Sequence, residues 1–172
     1  MYLTDAFEEQ DLDKIIPVFI EYPFATVVSV YQQRPFISQL PLSYDRQEHC
    51  FYGHLARANP HFQCLSEQSK VLVLFQGPQA YVSPAWYDSP GVPTWNYQSV
   101  HIYGKPHLIA ELEQLSSIVN ELTGIYESAL EKPWKPEYKS SMLNAIIGIE
   151  IIITDVQCKY KLSQNRSKND RL

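Results

Sequence analysis

The sequence predicts a mainly β fold with some α: a closed or nearly closed antiparallel barrel of about six strands, with small helices at its periphery. Three observations point there. Runs rich in β-branched and aromatic residues recur at short intervals between Phe24 and Tyr87, helical spacing is confined to a few stretches outside them, and a long, nearly continuous apolar segment follows Ala145. Closure is expected because it removes the unpaired edges that several short strands would leave. A chain of 172 residues supports one full core and not two, so residues 1–166 are read as one domain and 167–172 as a frayed tail.

The first element runs from Asp11 to about Tyr22, where Leu12, Ile15, Ile16, Phe19 and Ile20 keep helical spacing behind Asp11 as N-cap. Pro17 removes a donor in the middle, which predicts a short or bent helix. FATVVSVY from Phe24, RPFISQLPL, HCFYGHL, KVLVLFQGP and AYVSPAWY then read as strands. After a loop from Asp88 to Pro93, TWNYQSVHIYGKPHLI reads as a long strand whose Gly104 and Pro106 predict a bulge or an edge position. Glu111 to Leu122, continuing toward Tyr126, carries an amphipathic stripe at Leu112, Leu115, Ile118, Val119 and Leu122, weakened at Gly124. The connector KPWKPEY leads to a short helix near Ser140 to Ala145 and then the last strand, AIIGIEIIITDVQCKYKL. Ile149 to Ile153 is apolar on both faces, which predicts cover on both, one of them a partner subunit.

Composition excludes several classes. The net charge of −5 and the scatter of the basic residues argue against direct nucleic-acid binding, and there is no helix-turn-helix with a basic second helix. No apolar run approaches the ~20 residues of a membrane-spanning helix, and MYLTDAFEEQ lacks the order of a signal peptide, so the expected place is the cytoplasm. Cys50, Cys64 and Cys158 form no CxxC pair and read as packing residues in a reducing compartment. No nucleophile elbow, zinc-protease motif, Walker loop or dinucleotide fingerprint occurs, and the five His residues form no metal-ligand spacing, so no metal is expected.

Four segments carry candidate chemistry. In YGHLARANPH, Arg57 offers a planar cationic fork suited to phosphate, with His54 and Asn59 beside it; pairing with a carboxylate and a structural histidine explain the same residues equally well. QGPQAYVSPAWY brings Tyr81, Ser83, Trp86 and Tyr87 together, either to stack on a planar ring or to pack a core or interface. VPTWNYQSVH alternates, placing Trp95 and Tyr97 on one face of a strand and Thr94 and Asn96 on the other. KYKLSQNR, from Lys159, could donate to a phosphate or a ring carbonyl, or be a solvated terminus.

PFAT at Pro23–Thr26, GHLARANP at Gly53–Pro60, FQGPQAYVSPAWY at Phe75–Tyr87, VPTWNY at Val92–Tyr97 and KLSQNR at Lys161–Arg166 together resemble the PaiB family, the FMN-binding negative transcriptional regulators. The resemblance covers nearly the whole chain in order. It implies a split β-barrel of the pyridoxamine-phosphate-oxidase and flavin-reductase kind, FMN as cofactor, and a homodimer with ligand sites at the subunit interface. It further implies that His54, Leu55, Ala56, Arg57 and Asn59 hold the flavin phosphate. Ser83, Trp86, Trp95, Asn96, Lys161, Ser163 and Gln164 would border the ring or the second subunit. Two other outputs stay open. One is a flavin-dependent oxidoreductase, for which His54 or His101 could donate protons; the other is a regulatory protein that works through its dimer surface without cofactor.

Overall fold

The structure, a computed structural model, describes residues 1–67 and 70–171. Helix α1 (Leu12–Glu21) starts where the Asp11 carboxylate accepts from the Asp13 amide at 3.0 Å, satisfying one of the free donors of a helix N-terminus. It continues through Pro17, which is solvent-exposed, so the carbonyl deprived of its partner faces water. The buried stripe is Ile15, Ile16, Val18 and Phe19, while Leu12 and Ile20 lie at the surface. A ten-residue helix presents only its central turns to the barrel.

Six long strands carry the fold: β2 (Phe24–Tyr31), β3 (Arg34–Pro41), β5 (Cys50–Ala56), β6 (Val71–Val82), β7 (Thr94–Ile109) and β8 (Ile146–Lys161). Two short ones, β1 (Glu8–Glu9) and β4 (Ser43–Asp45), join them. The antiparallel order is β3-β2-β6-β7-β8-β5-β4, with β1 beside β8. Strands β3 and β4 stand at opposite ends of this order yet are separated in sequence by Leu42 alone, so the chain itself closes the barrel across β5. Gly53 permits the crossing. A Cβ there would sit 2.6 Å from Leu42 Cδ2, 3.1 Å from the Pro41 carbonyl oxygen and 3.2 Å from Leu40 Cδ1.

The core lines the inner faces of these strands, where alternate residues such as Ile147, Ile149, Ile151 and Ile153 of β8 point inward. Phe19, Phe51 and Phe75 meet at its centre with ring centroids 4.9 to 5.1 Å apart. Each buried ring contributes about 1.5–3 kcal/mol from area alone.

Several expectations change here. KVLVLF and AYV form one strand, β6, interrupted by a register shift between Gln76 and Gln79, because Pro78 cannot donate to the ladder. Strand β7 is central, so of the two alternatives read at Gly104 and Pro106 the bulge is found and the edge position is not. Its register shifts at Tyr103/Gly104, and pairing with β6 ends at Gly104, so Pro106 needs no donor on that side. Helix α2 (His61–Glu67) has no counterpart in the sequence reading. The outer face of β8 is covered in part by the chain's own helix α3 (Leu112–Glu127), whose Leu115 and Ile118 lie within 3.2 Å of a Cβ position at Gly148. Only Ile152 of the Ile149–Ile153 stretch is exposed. The segment read as a frayed tail carries a short turn at Asn169–Arg171, and its Asp170 carboxylate accepts from the Asp88 amide and the Ser89 hydroxyl. Leu172 lies outside the described residues. Among the described residues no helix is long and apolar enough to cross a membrane.

Candidate functional site

The Arg57 turn follows the last residue of β5 and is held from two sides. The Arg57 amide donates to the Ala145 carbonyl at 2.8 Å and its Nε to the Asn144 carbonyl at 3.1 Å, which ties the turn to helix α4 (Ser140–Asn144) and the start of β8. On the other side the Asn59 amide donates to the Ala56 carbonyl at 2.8 Å, and the Asn59 side chain accepts from the His61 amide at 3.0 Å, capping α2. The Arg57 guanidinium is exposed and has no carboxylate within 4 Å among the described residues. Its charge therefore stands unpaired at the head of a rigid turn, which fits a phosphate.

The neighbouring residues divide. Ala56 is exposed at the strand end and Asn59 is half-buried in the turn. Leu55 is not a ligand-facing side chain: it points into the barrel core, as strand alternation from His54 requires. His54 faces the other way, into a cavity of about 230 Å³ under α3 and α4 lined by Thr123, Tyr138 and Ile146. Its Nδ1 is buried without a hydrogen-bond partner among the described residues, and burial pushes its pKa down.

The second group lies at the far end of β8. Lys161 Nζ donates to the Trp95 carbonyl at 2.7 Å and to Thr94 Oγ1. Asn96 and Ser163 exchange hydrogen bonds at 3.0 and 3.2 Å, with Ser163 held at φ 64°, a left-handed conformation costly for a residue with a side chain. These groups share a cavity of about 160 Å³ with Tyr87 and Arg166. The Arg166 guanidinium stacks 4.4 Å from the Tyr87 ring centroid, and the Tyr87 hydroxyl is buried with no partner among the described residues. Neither Lys161 nor Arg166 has a carboxylate within 4 Å among the described residues. Two cations and an orphaned donor suit an anionic or carbonyl-rich ligand.

Trp86 and Trp95 are exposed beside this cavity, with Trp95 edge-on to Tyr81 at 6.3 Å. Ser83 and Gln164 have local duties instead. Ser83 Oγ caps the Pro84–Trp86 turn by accepting from the Ala85 amide, and the Gln164 amide bonds to the Leu162 amide and the Tyr160 carbonyl.

The two groups do not meet within the chain: their cavities share no lining residue. Ala56 pairs with Ile146 and Tyr97 with Lys161, so they lie at opposite ends of a 16-residue strand, a contour length of roughly 50 Å. Sequence reasoning also missed a trio on the outer face. Glu150 accepts from the Tyr52 hydroxyl at 2.9 Å and pairs with His107 Nδ1 at 3.0 Å. Its members come from β5, β8 and β7, and no local pattern links them.

This barrel, closed across Gly53 and carrying unpaired cations at both ends of its longest ribbon, is a split barrel of the flavin-binding kind. The FAD and heme binding protein of Mycobacterium smegmatis superimposes with a TM-score of 0.76 over 95% of this chain and 78% of that one, at 14% identity. The flavocytochrome Anf3 of Azotobacter vinelandii gives 0.75 over 95% and 73%, at 15% identity. At that identity the likeness is one of fold. Residues 1–155 match the family described as "Putative FMN-binding domain". Protease synthase and sporulation protein PAI 2 of Bacillus subtilis is 37% identical over 177 residues, covering 99% of this chain and 85% of that protein. Uncharacterized protein YKL070W of Saccharomyces cerevisiae is 36% identical over 56% of this chain and 57% of its own length. The chain belongs to this FMN-binding family, the PaiB family that its five motifs resemble, and FMN is the cofactor that membership assigns.

Proposed function

We propose that the protein acts as a homodimer with two FMN sites, each built from the Arg57 turn of one protomer and the Lys161 end of its partner, and that it serves as a negative regulator in the cytoplasm. The observation that carries this reading is the separation of the two cationic groups along β8. Both fit an anionic planar cofactor, and a two-fold arrangement lets one ligand use both.

An unpartnered apolar sheet face supports the dimer. Ile37, Val28, Leu72 and Tyr103 stand in one register row across β3, β2, β6 and β7. Phe24, Val30 and Ile37 on that side are 64%, 55% and 56% exposed, an accumulation that marks interaction surfaces. The exposed Trp86 and Trp95 extend the apolar surface to the Lys161 cavity.

In the bound state FMN supplies electron-transfer chemistry at its ring. The chain's residues would bind and orient it: Arg57 would hold the phosphate, Lys161 and Asn96 would hold the ring system, and Trp86 and Trp95 would wall the cleft. The regulatory part of the reading rests on membership of the PaiB family; the Bacillus subtilis relative carries the name "Protease synthase and sporulation protein PAI 2". With a net charge of −5, such regulation would run through a partner protein rather than DNA. Sedimentation equilibrium at micromolar protein tests the assembly, with twice 19.9 kDa expected and one FMN per protomer at saturation. A monomer that binds FMN with undiminished affinity overturns it.

A further inference from the structure

Behind the Arg57 turn lies a polar chain that the proposed function does not use. His61, the first residue of α2, is fully buried. Its Nδ1 is 2.8 Å from Ser38 Oγ on β3, and its Nε2 is 2.9 Å from Ser29 Oγ on β2. Ser38 Oγ also accepts from Asn59 Nδ2 at 3.1 Å, and Asn59 in turn accepts from the His61 amide. Phe36 covers the ring at 4.8 Å between centroids. The imidazole thus stands between two serine hydroxyls, each of which can donate to or accept from a ring nitrogen, so that the ring is held in either tautomer.

We infer that His61 is a positioning residue for the flavin phosphate: through Ser38 it fixes the Asn59 side chain, and through Asn59 it locks the turn that presents Arg57. The inference rests on Arg57 being the phosphate ligand, as proposed above. The turn is covalently short, only Arg57 and Ala58 separating β5 from Asn59. One flank is tied to backbone carbonyls of Asn144 and Ala145, and the Asn59–Ser38–His61–Ser29 chain is the tie on the other. Every member is buried or half-buried, so water does not readily replace a lost partner. The guanidinium is otherwise exposed, and its aim depends on these two ties.

A comparison of FMN with riboflavin isolates the phosphate, because the two share everything but that group. Dissociation constants for both are measured by flavin fluorescence quenching on the full-length dimer, for wild type, Arg57→Ala, Ser38→Ala, His61→Phe and His61→Gln. Ser38→Ala removes one hydroxyl and keeps the fold testable should a His61 variant fail to fold. The expected result is a wild-type preference for FMN that Arg57→Ala abolishes and that Ser38→Ala and His61→Phe reduce by about threefold. Riboflavin affinity stays within about twofold in these variants. Adding Ser38→Ala to Arg57→Ala costs nothing further, and His61→Gln, which keeps one donor and one acceptor, recovers part of the preference. Loss of FMN and riboflavin affinity in equal measure would mark the chain as merely structural and overturn the inference. An FMN preference unchanged in Ser38→Ala while Arg57→Ala abolishes it overturns the inference and leaves the proposed site intact. An FMN preference that survives Arg57→Ala overturns both.

Discussion

Replacing Gly53 with alanine places a methyl group at the seam where the β3–β4 junction crosses β5. The new Cβ would meet Leu42 Cδ2 at 2.6 Å, the Pro41 carbonyl oxygen at 3.1 Å and Leu40 Cδ1 at 3.2 Å. A side-chain tip can often swing aside, but Leu42 and Leu40 are both buried and the Pro41 oxygen belongs to the backbone. The seam must therefore open, an overpacking cost of about 1–3 kcal/mol. For a chain of this length each kcal/mol lowers the melting temperature by about 2–4 °C, so a fall of roughly 2–12 °C is expected. Circular dichroism melts at fixed protein and FMN concentration read it. Because Gly53 is assigned a steric duty and no ligand contact, FMN affinity of the folded variant should change less than about threefold. A melting temperature within 1 °C of wild type would refute the account of closure. A stable variant with lost FMN affinity would move Gly53 from the seam to the site.

Burial depresses the pKa of His61, His54 and His101, the last also through the N-terminal charge. Such groups are stabilising while neutral, so stability is full above the unfolded value near 6.5 and falls as pH drops through it toward the lower folded values. Urea midpoints between pH 8 and 5 should decline, with a shallower decline in His61→Gln. Burial raises the thiols of Cys50, Cys64 and Cys158, the last to about 12; Ellman's reagent at pH 8 should find none reactive in the native protein and three after denaturation. Arg57→Ala removes one exposed charge-assisted contact, so FMN affinity should fall about tenfold at low salt and less at 0.5 M. A loss independent of salt would exclude a phosphate contact for Arg57.

Much of this was legible because it is written locally. Period-two and period-3.6 patterns located six strands and helices α1 and α3, the Pro-rich connector KPWKPEY marked the start of α4, and the Arg57 motif stands out by its charge among small residues. Helix α2 escaped because His61–Glu67 is too short to display a stripe, although Asn59-Pro60 just before it is an N-cap signal that could have revealed it. The division of the site into two ends was hidden for a different reason. Proximity of Arg57 to Lys161 depends on sheet register, and the two cationic motifs lie apart along β8. Leu55 shows the limit of reading a motif as a unit: it sits between two site candidates, yet alternation turns it inward. The Tyr52–Glu150–His107 trio and the Ser29–Ser38–His61 chain each join three elements, and strand register and the docking of α2 on β2 and β3 bring them together.

The central claim is that each FMN site draws on two protomers, and subunit mixing tests it most directly. Arg57→Ala and Lys161→Ala protomers, each weak in FMN binding alone, are unfolded together in equal amounts, refolded and titrated with FMN. With composite sites, every mixed dimer carries one site with both residues intact and one with neither. Random pairing makes about half the dimers mixed, so about a quarter of all sites should regain wild-type affinity. No recovery, with mixed dimers confirmed by mass, would contradict the account and place each site within a single protomer.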